Sequence, residues 1–375
     1  MSRPVVWIGV HDLSLSGVPV MLQRLLTASA AVDRDRVHVV ALRDGPMRER
    51  IAAVAGSLTV LGPAVGRSSS GSLLAAARSV GLAATAAGAE RALRLRVVRP
   101  LPAPDVVVVH GAGAWPVVGL VPTDAAVVLH LHELDTALAR SIPSHDLPAV
   151  LARVGTVMVV SRPVAELARR CGVASEQIAE VPGVHDVTAP HDHDVALAAL
   201  GNGRWVLGAG TPGWRKGTDR LAAIASGLAR SGTGARVGWV GGAPAGVDAG
   251  WIEADDPVRW FPETDDPWAL LAGASVFVVP SREDPLPLVA LEAGQHRRAV
   301  VATPSGGLLD LLADGRGLVT ERHDLRSLSD LTEKVLRSAA LAEELGGALA
   351  EHVERHHDPG VVVRTWWDVI DGAGR

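Results

Sequence analysis

The sequence predicts an α/β chain of two doubly wound parallel-sheet domains, on three observations. Short apolar runs alternate with longer Ala/Leu/Arg segments. The runs are nearly continuous rather than alternating, as strands buried on both faces are. The pattern also breaks once, over 184–203, and then restarts.

In the first half, "VVWIGV" (5–10) reads as a strand, "VPVMLQRLLTASAA" (18–31) as a helix and "RVHVVALR" (36–43) as a strand. "DVVVVH" (105–110), "AAVVLHL" (125–131) and "TVMVVS" (156–161) continue the strand series. The Pro/Gly-rich tract "PGVHDVTAPHDHDVALAALGNG" (182–203) reads as a linker. In the second half the strands are "RWVLGAG" (204–210), "RVGWVGG" (236–242), "SVFVVP" (275–280), "RAVVAT" (298–303) and "GLVT" (317–320), with a helix over 217–230. An Ala/Leu/Glu segment over 324–356 ends this half. The expected domains are 1–183 and 204–357, with a last helix over 358–375 that could pack back on the first domain. Strand–helix alternation of this kind builds Rossmann-like sheets covered by helices on both faces.

The chain has 375 residues and a formal charge of −5, so no broad basic field points to nucleic acid. Its single cysteine, Cys171, excludes an internal disulfide and a Cys-based zinc cluster. No apolar run is long enough to span a membrane. The six-residue run before His11 is too short for a secretory core, so the cytoplasm is the expected location. The Ala-rich segment 71–102 carries Arg91, Arg94, Arg96 and Arg99. It reads as a surface helix, with peripheral contact to an anionic lipid or acceptor as the minor alternative. "HDHD" (191–194) sits in the linker and reads as solvated rather than metal-binding. Oligomeric state is left open.

Ligands of doubly wound sheets bind beyond the carboxyl ends of the strands, so the residues after each strand are the candidates. After "RWVLGAG" comes "TPGWRKGTD", with Arg215 and Lys216 among glycines. This is either an ordinary turn or a phosphate cradle at a helix start. After "SVFVVP" comes "SREDPLPLVALEAG". Pro285 and Pro287 suit first helical positions, which makes Asp284 a helix cap and sets Glu292 two turns into an apolar helix. A lone buried carboxylate is costly, and the hydroxyl pair of a ribose would satisfy it. Three strand ends carry histidine (His11, His110, His132), a site-like pattern. Each of these alone is more often structural.

Together these segments resemble glycosyltransferase family 4, which has two Rossmann-like domains facing a cleft, the GT-B fold. "SREDPLPLVALEA" is close to the family's "PSREDPFPLVVLEA" form of its acid-x7-acid motif. "GTPGWRKGTD" is similar to its W-R-K-G-x-D donor loop, and "LSLSGVP" to its N-terminal Gly loop. The resemblance implies retaining transfer of a sugar from a nucleotide-diphosphate sugar to an acceptor hydroxyl, without a bound metal or other cofactor. The acceptor would be a polysaccharide, a lipid-linked saccharide or a natural product. By the same resemblance Arg215 and Lys216 hold the donor diphosphate, Asp284 faces the sugar hydroxyls with Glu283 as its rival, and Glu292 binds the ribose. His132 lines the reaction centre, and Gly17 lets its loop approach the phosphates. Gly241 and Gly242 receive the base, and Leu286, Pro287 and Leu288 complete the donor segment. The chain departs from the family pattern at Ala209 and Gly210, where many members carry an arginine, at Ser275, and at Asp310 in a G-G-x-x-E pattern. The alternatives are an epimerase or phosphorylase of the same architecture, or a non-catalytic sugar-nucleotide-binding protein.

Overall fold

The computed structural model describes residues 3–62, 83–185, 200, 201, 203–245, 250, 257–264 and 267–374. The tract with "HDHD" lies outside the described residues, as does 71–82 of the Ala-rich segment. The chain divides into two compact units. The first comprises Met1–Val160, Ala165–Val181 and Val363–Arg375, and the second Ser161–Val164 and Pro182–Val362.

The first unit holds β1 (Val6–Val10), α1 (Gly17–Ala28), β2 (Val37–Ala41), β3 (Ser57–Val60), α2 (Ala83–Val98), β4 (Val106–His110), β5 (Ala126–Leu131), β6 (Thr156–Val159), α3 (Arg162–Arg170) from Ala165 onward and β7 (Ile178–Glu180). Its strands form one sheet in the order β3-β2-β1-β4-β5-β6-β7. Every pairing is parallel. β1 and β4 are buried along their whole length, which is why they read as unbroken apolar runs.

The second unit holds β8 (Trp205–Ala209), α4 (Leu221–Arg230), β9 (Arg236–Val240), β10 (Val258–Phe261), β11 (Val276–Val279), α5 (Leu288–Gln295), β12 (Val300–Ala302), β13 (Leu318–Val319), α6 (Leu325–Arg337) and α7 (Ala339–His356). The sheet order is β10-β9-β8-β11-β12-β13. Successive strand residues go to opposite faces. Trp205, Leu207, Phe277, Val279 and Val300 therefore join Leu291 of α5 and Leu349 of α7 in one core. Val206, Val276, Val278 and Val301 join Ile224 of α4 and Leu328 of α6 in another. Ser338 breaks the expected single segment 324–356 into two helices and caps the second, its hydroxyl accepting from the Leu341 amide at 3.2 Å.

α8 (Pro359–Ala373) ends the chain, and its residues from Val363 onward belong to the first unit. There the Trp367 indole donates to the Ser29 hydroxyl at 2.9 Å, and Arg36 pairs with Asp371 at 2.7 Å. No described helix is long and apolar enough to cross a membrane.

Three strands, β3, β7 and β10, have no counterpart in the sequence reading. All three are sheet edges. β3 is half-buried throughout and the other two are mixed in burial, so no continuous apolar run marks them.

One buried group sets an expected pH response in the second unit. His357 donates from Nδ1 to the Gly183 carbonyl at 2.7 Å, and burial pushes its imidazole down to about 4 from 6.5. Above pH 6.5 the ring is neutral in both states. As pH falls from 6.5 to 4 the unfolded chain takes up a proton that the folded chain does not, so stability drops across that window and levels off below it. The loss from this ring is on the order of 3 kcal/mol. His357→Gln keeps a donor and should flatten part of the decline in urea unfolding between pH 7 and 5. An undiminished decline would remove His357 as its source.

Candidate active site

In an open α/β sheet the ligand crevice forms where strand order reverses. In the second sheet that point lies between β8 and β11, and the two motif segments follow these two strands. After β8 the chain makes two 3₁₀ turns, Trp214–Lys216 and Thr218–Arg220, before α4 begins at Leu221. The helix expected from 217 thus starts four residues later. After β11 the chain runs through Ser281–Pro287 as a loop, and α5 begins at Leu288 with Pro287 as its N-cap.

The two loops are joined by charge. Lys216 donates from Nζ to Asp284 Oδ2 at 2.7 Å, and Arg215 lies 3.9 Å from Asp284 Oδ1. The Ser281 hydroxyl donates to Asp284 Oδ2 at 3.2 Å. The Asp284 side chain is only 4% exposed, against 15% for Lys216 and 36% for Arg215. Arg215 also donates to the Glu283 carbonyl at 2.9 Å, and the Arg282 amide donates to the Arg215 carbonyl at 2.8 Å. A second clasp lies beside the first. Arg282 holds Asp219 through two contacts of 2.6 Å, donates to the Trp214 carbonyl at 2.7 Å and stacks on the Trp214 ring.

Two expectations need correction here. Asp284 does not cap α5, because it lies four residues before the helix and its carboxylate is taken by Lys216. Pro285 and Pro287 are not first helical residues: α5 begins after both. The Asp284 carboxylate meets both cations, and Glu283 meets Arg215 through its carbonyl.

The backbone around Lys216 is shaped by close approach. Gly217 has φ +71°, and a Cβ there would lie 2.1 Å from the Pro280 carbonyl oxygen. Gly241, after β9, has φ +132°, and its Cβ would lie 2.3 Å from the Gly210 carbonyl. That carbonyl accepts from the Trp239 indole at 2.8 Å. Gly242 donates to the Phe261 carbonyl at 2.8 Å. The Lys216 stem passes over Gly210. Gly307, of the altered G-G-x-x-E segment, donates to the Pro285 carbonyl at 2.9 Å and holds the acidic loop from its other side. Asp310 pairs with Arg162 at 2.6 Å, and the Ser275 hydroxyl accepts from the Trp205 amide at 3.3 Å.

Glu292 is buried on α5, as the sequence suggested. It has a polar or electrostatic neighbour within the protein, so its burial does not by itself demand a ligand. Leu286 and Leu288 pack against the core that contains Leu291, and Pro287 is buried.

In the first sheet the order reverses between β1 and β4. After β1, His11 pairs with Asp12 at 3.1 Å and accepts from Arg43. The Asp12 carboxyl is held well below the usual range, first by the His11 hydrogen bond and then by Ser14. Gly17 is the exposed first residue of α1. It does not have a positive φ, so no local strain requires glycine there. After β5, the Glu133 carboxylate accepts from the amides of Ala112 and His132, both at 2.9 Å, and burial pushes it up to about 7. His132 packs against His110 and a third ring, His130, which the sequence reading missed. The signal was present as a His-x-His spacing across the end of a strand. On α2, Arg91 donates to the Gly119 carbonyl at 2.8 Å and Arg94 pairs with Glu90, while Arg96 and Arg99 are exposed.

Residues 204–338 match the family model described as glycosyl transferases group 1. D-inositol 3-phosphate glycosyltransferase of Arthrobacter sp. (strain FB24) is 37% identical over 105 residues, 27% of this chain and 24% of that protein. The namesake of Nocardioides sp. (strain ATCC BAA-499 / JS614) is 36% identical over 81 residues, 21% of this chain and 18% of that protein. The chain thus spans a quarter or less of the length of these relatives. Among solved structures, Anabaena Alr3699/HepE in complex with UDP and glucose superimposes with a TM-score of 0.75 at 16% identity, covering 98% of this chain and 99% of that one. Sucrose-phosphate synthase of Thermosynechococcus elongatus does so with 0.73 at 17% identity, covering 98% of each chain. These likenesses establish the architecture. The chain has the GT-B fold, and its residues 204–338 match the group 1 glycosyltransferases.

Proposed function

We propose that the protein is a retaining glycosyltransferase that moves a sugar from a nucleoside-diphosphate sugar to an acceptor hydroxyl. The observation that carries the reading is the Lys216–Asp284 pair with Arg215 beside it. It sits at the strand-order reversal of the second sheet, inside the segment that matches the family. Arg215 offers a planar fork and Lys216 a point charge, the two cation types suited to phosphate oxygens. Both can stabilise negative charge as the diphosphate departs. The bond from the anomeric carbon to the diphosphate oxygen breaks, and a bond to the acceptor oxygen forms on the same face. The acceptor proton passes to the departing phosphate oxygen. No strong protein base is required. In this reading Asp284 orients the two cations before the donor arrives, and Glu292 and the Gly241–Gly242 turn serve the nucleoside. The roles of His132 and Gly17 rest on the family resemblance. Neighbours solved with UDP make uridine nucleotides the first donors to try.

A nucleoside diphosphate at about 100 times its Kd should stabilise the fold by about 2.7 kcal/mol. For a unit of this size that is a rise of roughly 5–10 °C in Tm. Unchanged melting with UDP, ADP and GDP, each at millimolar concentration, would remove the donor-site assignment. A shift that persists undiminished in Lys216→Ala would move the site elsewhere.

A further inference from the structure

The register of the first sheet gathers three imidazoles. His110 on β4 faces His130 on β5 in the parallel ladder. His132 follows His130 by two residues, just past the end of β5, and its ring packs against both other rings. The three ring centroids are 4.2–4.8 Å apart. His110 Nε2 lies 3.1 Å from the Val18 carbonyl. A carbonyl can only accept, so Nε2 carries the hydrogen and Nδ1 presents a lone pair. His110 Nδ1 and Nε2 of His132 are buried without a hydrogen-bond partner, and the His130 ring, also buried, has a backbone contact at Val181. One nitrogen from each ring lies within 4.8 Å of the others.

We propose that His110, His130 and His132 form a binding site for one divalent transition metal of the zinc type. Imidazole suits zinc, copper and nickel, and the set contains no thiolate and no ligating carboxylate. Glu133, the nearest acid in sequence, is already held by two backbone amides. The His110 bond to a backbone carbonyl is the outer contact that ordinarily fixes a ligating ring's tautomer. Tetrahedral Zn–N bonds of about 2.0–2.1 Å set the nitrogens roughly 3.3 Å apart. A pair at the 4.8 Å limit would close by roughly 1.5 Å on metal binding. A three-histidine set leaves the fourth position to water or another small ligand. The proposal shares His132 with the transferase reading, and metal binding is measured separately from sugar transfer.

The test uses the full chain without a histidine tag, stripped with chelator. Stoichiometric Co(II) should give the visible d–d absorption of a tetrahedral site, and Zn(II) should displace it with one ion per chain. His130→Ala and His110→Asn should each weaken Zn(II) binding by at least about 100-fold. If one variant fails to fold, the other decides. Absence of the Co(II) bands would overturn the site. So would Zn(II) binding unchanged in both folded variants, which would place the ion on other histidines. A crystal soaked in zinc that shows water between the three rings and no anomalous peak would overturn it as well.

Discussion

Lys216→Ala is expected to lower kcat/KM for sugar transfer by about 100- to 1000-fold, the usual loss when one positioned electrostatic donor is removed. The same change should destabilise the second unit. Asp284 is 3% exposed, and without Lys216 it retains Ser281 at 3.2 Å and Arg215 at 3.9 Å. Breaking a fully buried pair costs about 3–5 kcal/mol. Arg215 remains close and water can follow the lost side chain, so about 2 kcal/mol is expected here. The two effects separate in a double variant. Lys216→Met with Asp284→Asn removes the stranded charge, and should recover most of the stability while transfer stays low. Urea unfolding gives the first quantity, and turnover of whichever donor most raises Tm gives the second. If Lys216→Ala turns over that donor within about threefold of the parent protein, Lys216 is not the diphosphate ligand.

Gly217→Ala should be the most damaging single methyl addition in the candidate site. Two separate costs meet there. The left-handed backbone, φ +71°, costs a non-glycine residue about 1–2 kcal/mol. The added Cβ would also lie 2.1 Å from the Pro280 carbonyl oxygen, which is backbone at the end of β11 and cannot rotate aside. Pro280 is further held by Arg220, which donates to it at 3.1 Å. The turn bearing Lys216 must therefore move away from Asp284. A total of about 4 kcal/mol is expected, in the range reserved for changes with an identifiable steric cause. Gly232 supplies the control: its φ is +69°, with nothing within 4 Å of an added Cβ. Gly232→Ala should cost only the backbone part. Equal losses at the two positions would show that the Pro280 contact is relieved without consequence. A larger loss at Gly217, accompanied by weaker nucleotide binding, would tie the contact to the site.

What could be read without coordinates follows burial on both sides. β1, β4, β8 and β11 are enclosed by neighbours and helices, so their sequences are apolar throughout and stand out. β3, β7 and β10 lie at sheet edges and carry a mixed pattern, so they were passed over. β13 is also an edge, but its short run "GLV" was apolar enough to be noticed. The acid-x7-acid and "WRKG" segments were legible because each is short, charged and contiguous with a strand end. The rank order of their charges was not. Asp284 resembles a helix cap until the start of α5 is known to lie at Leu288.

The two-unit α/β plan, the positions of the central strands and the two segments that carry the candidate donor site are legible in the sequence. Local composition is enough for these, because continuous apolar runs and Gly-flanked charges are properties of neighbouring residues. Tertiary structure decided which acid meets Lys216, why Gly217 must be glycine, and that His130 completes a cluster with His110 and His132. Each of those depends on register between strands or on loops that lie 20 to about 70 residues apart in the chain. Pairing across such distances is set by how whole elements pack, and no local pattern records it.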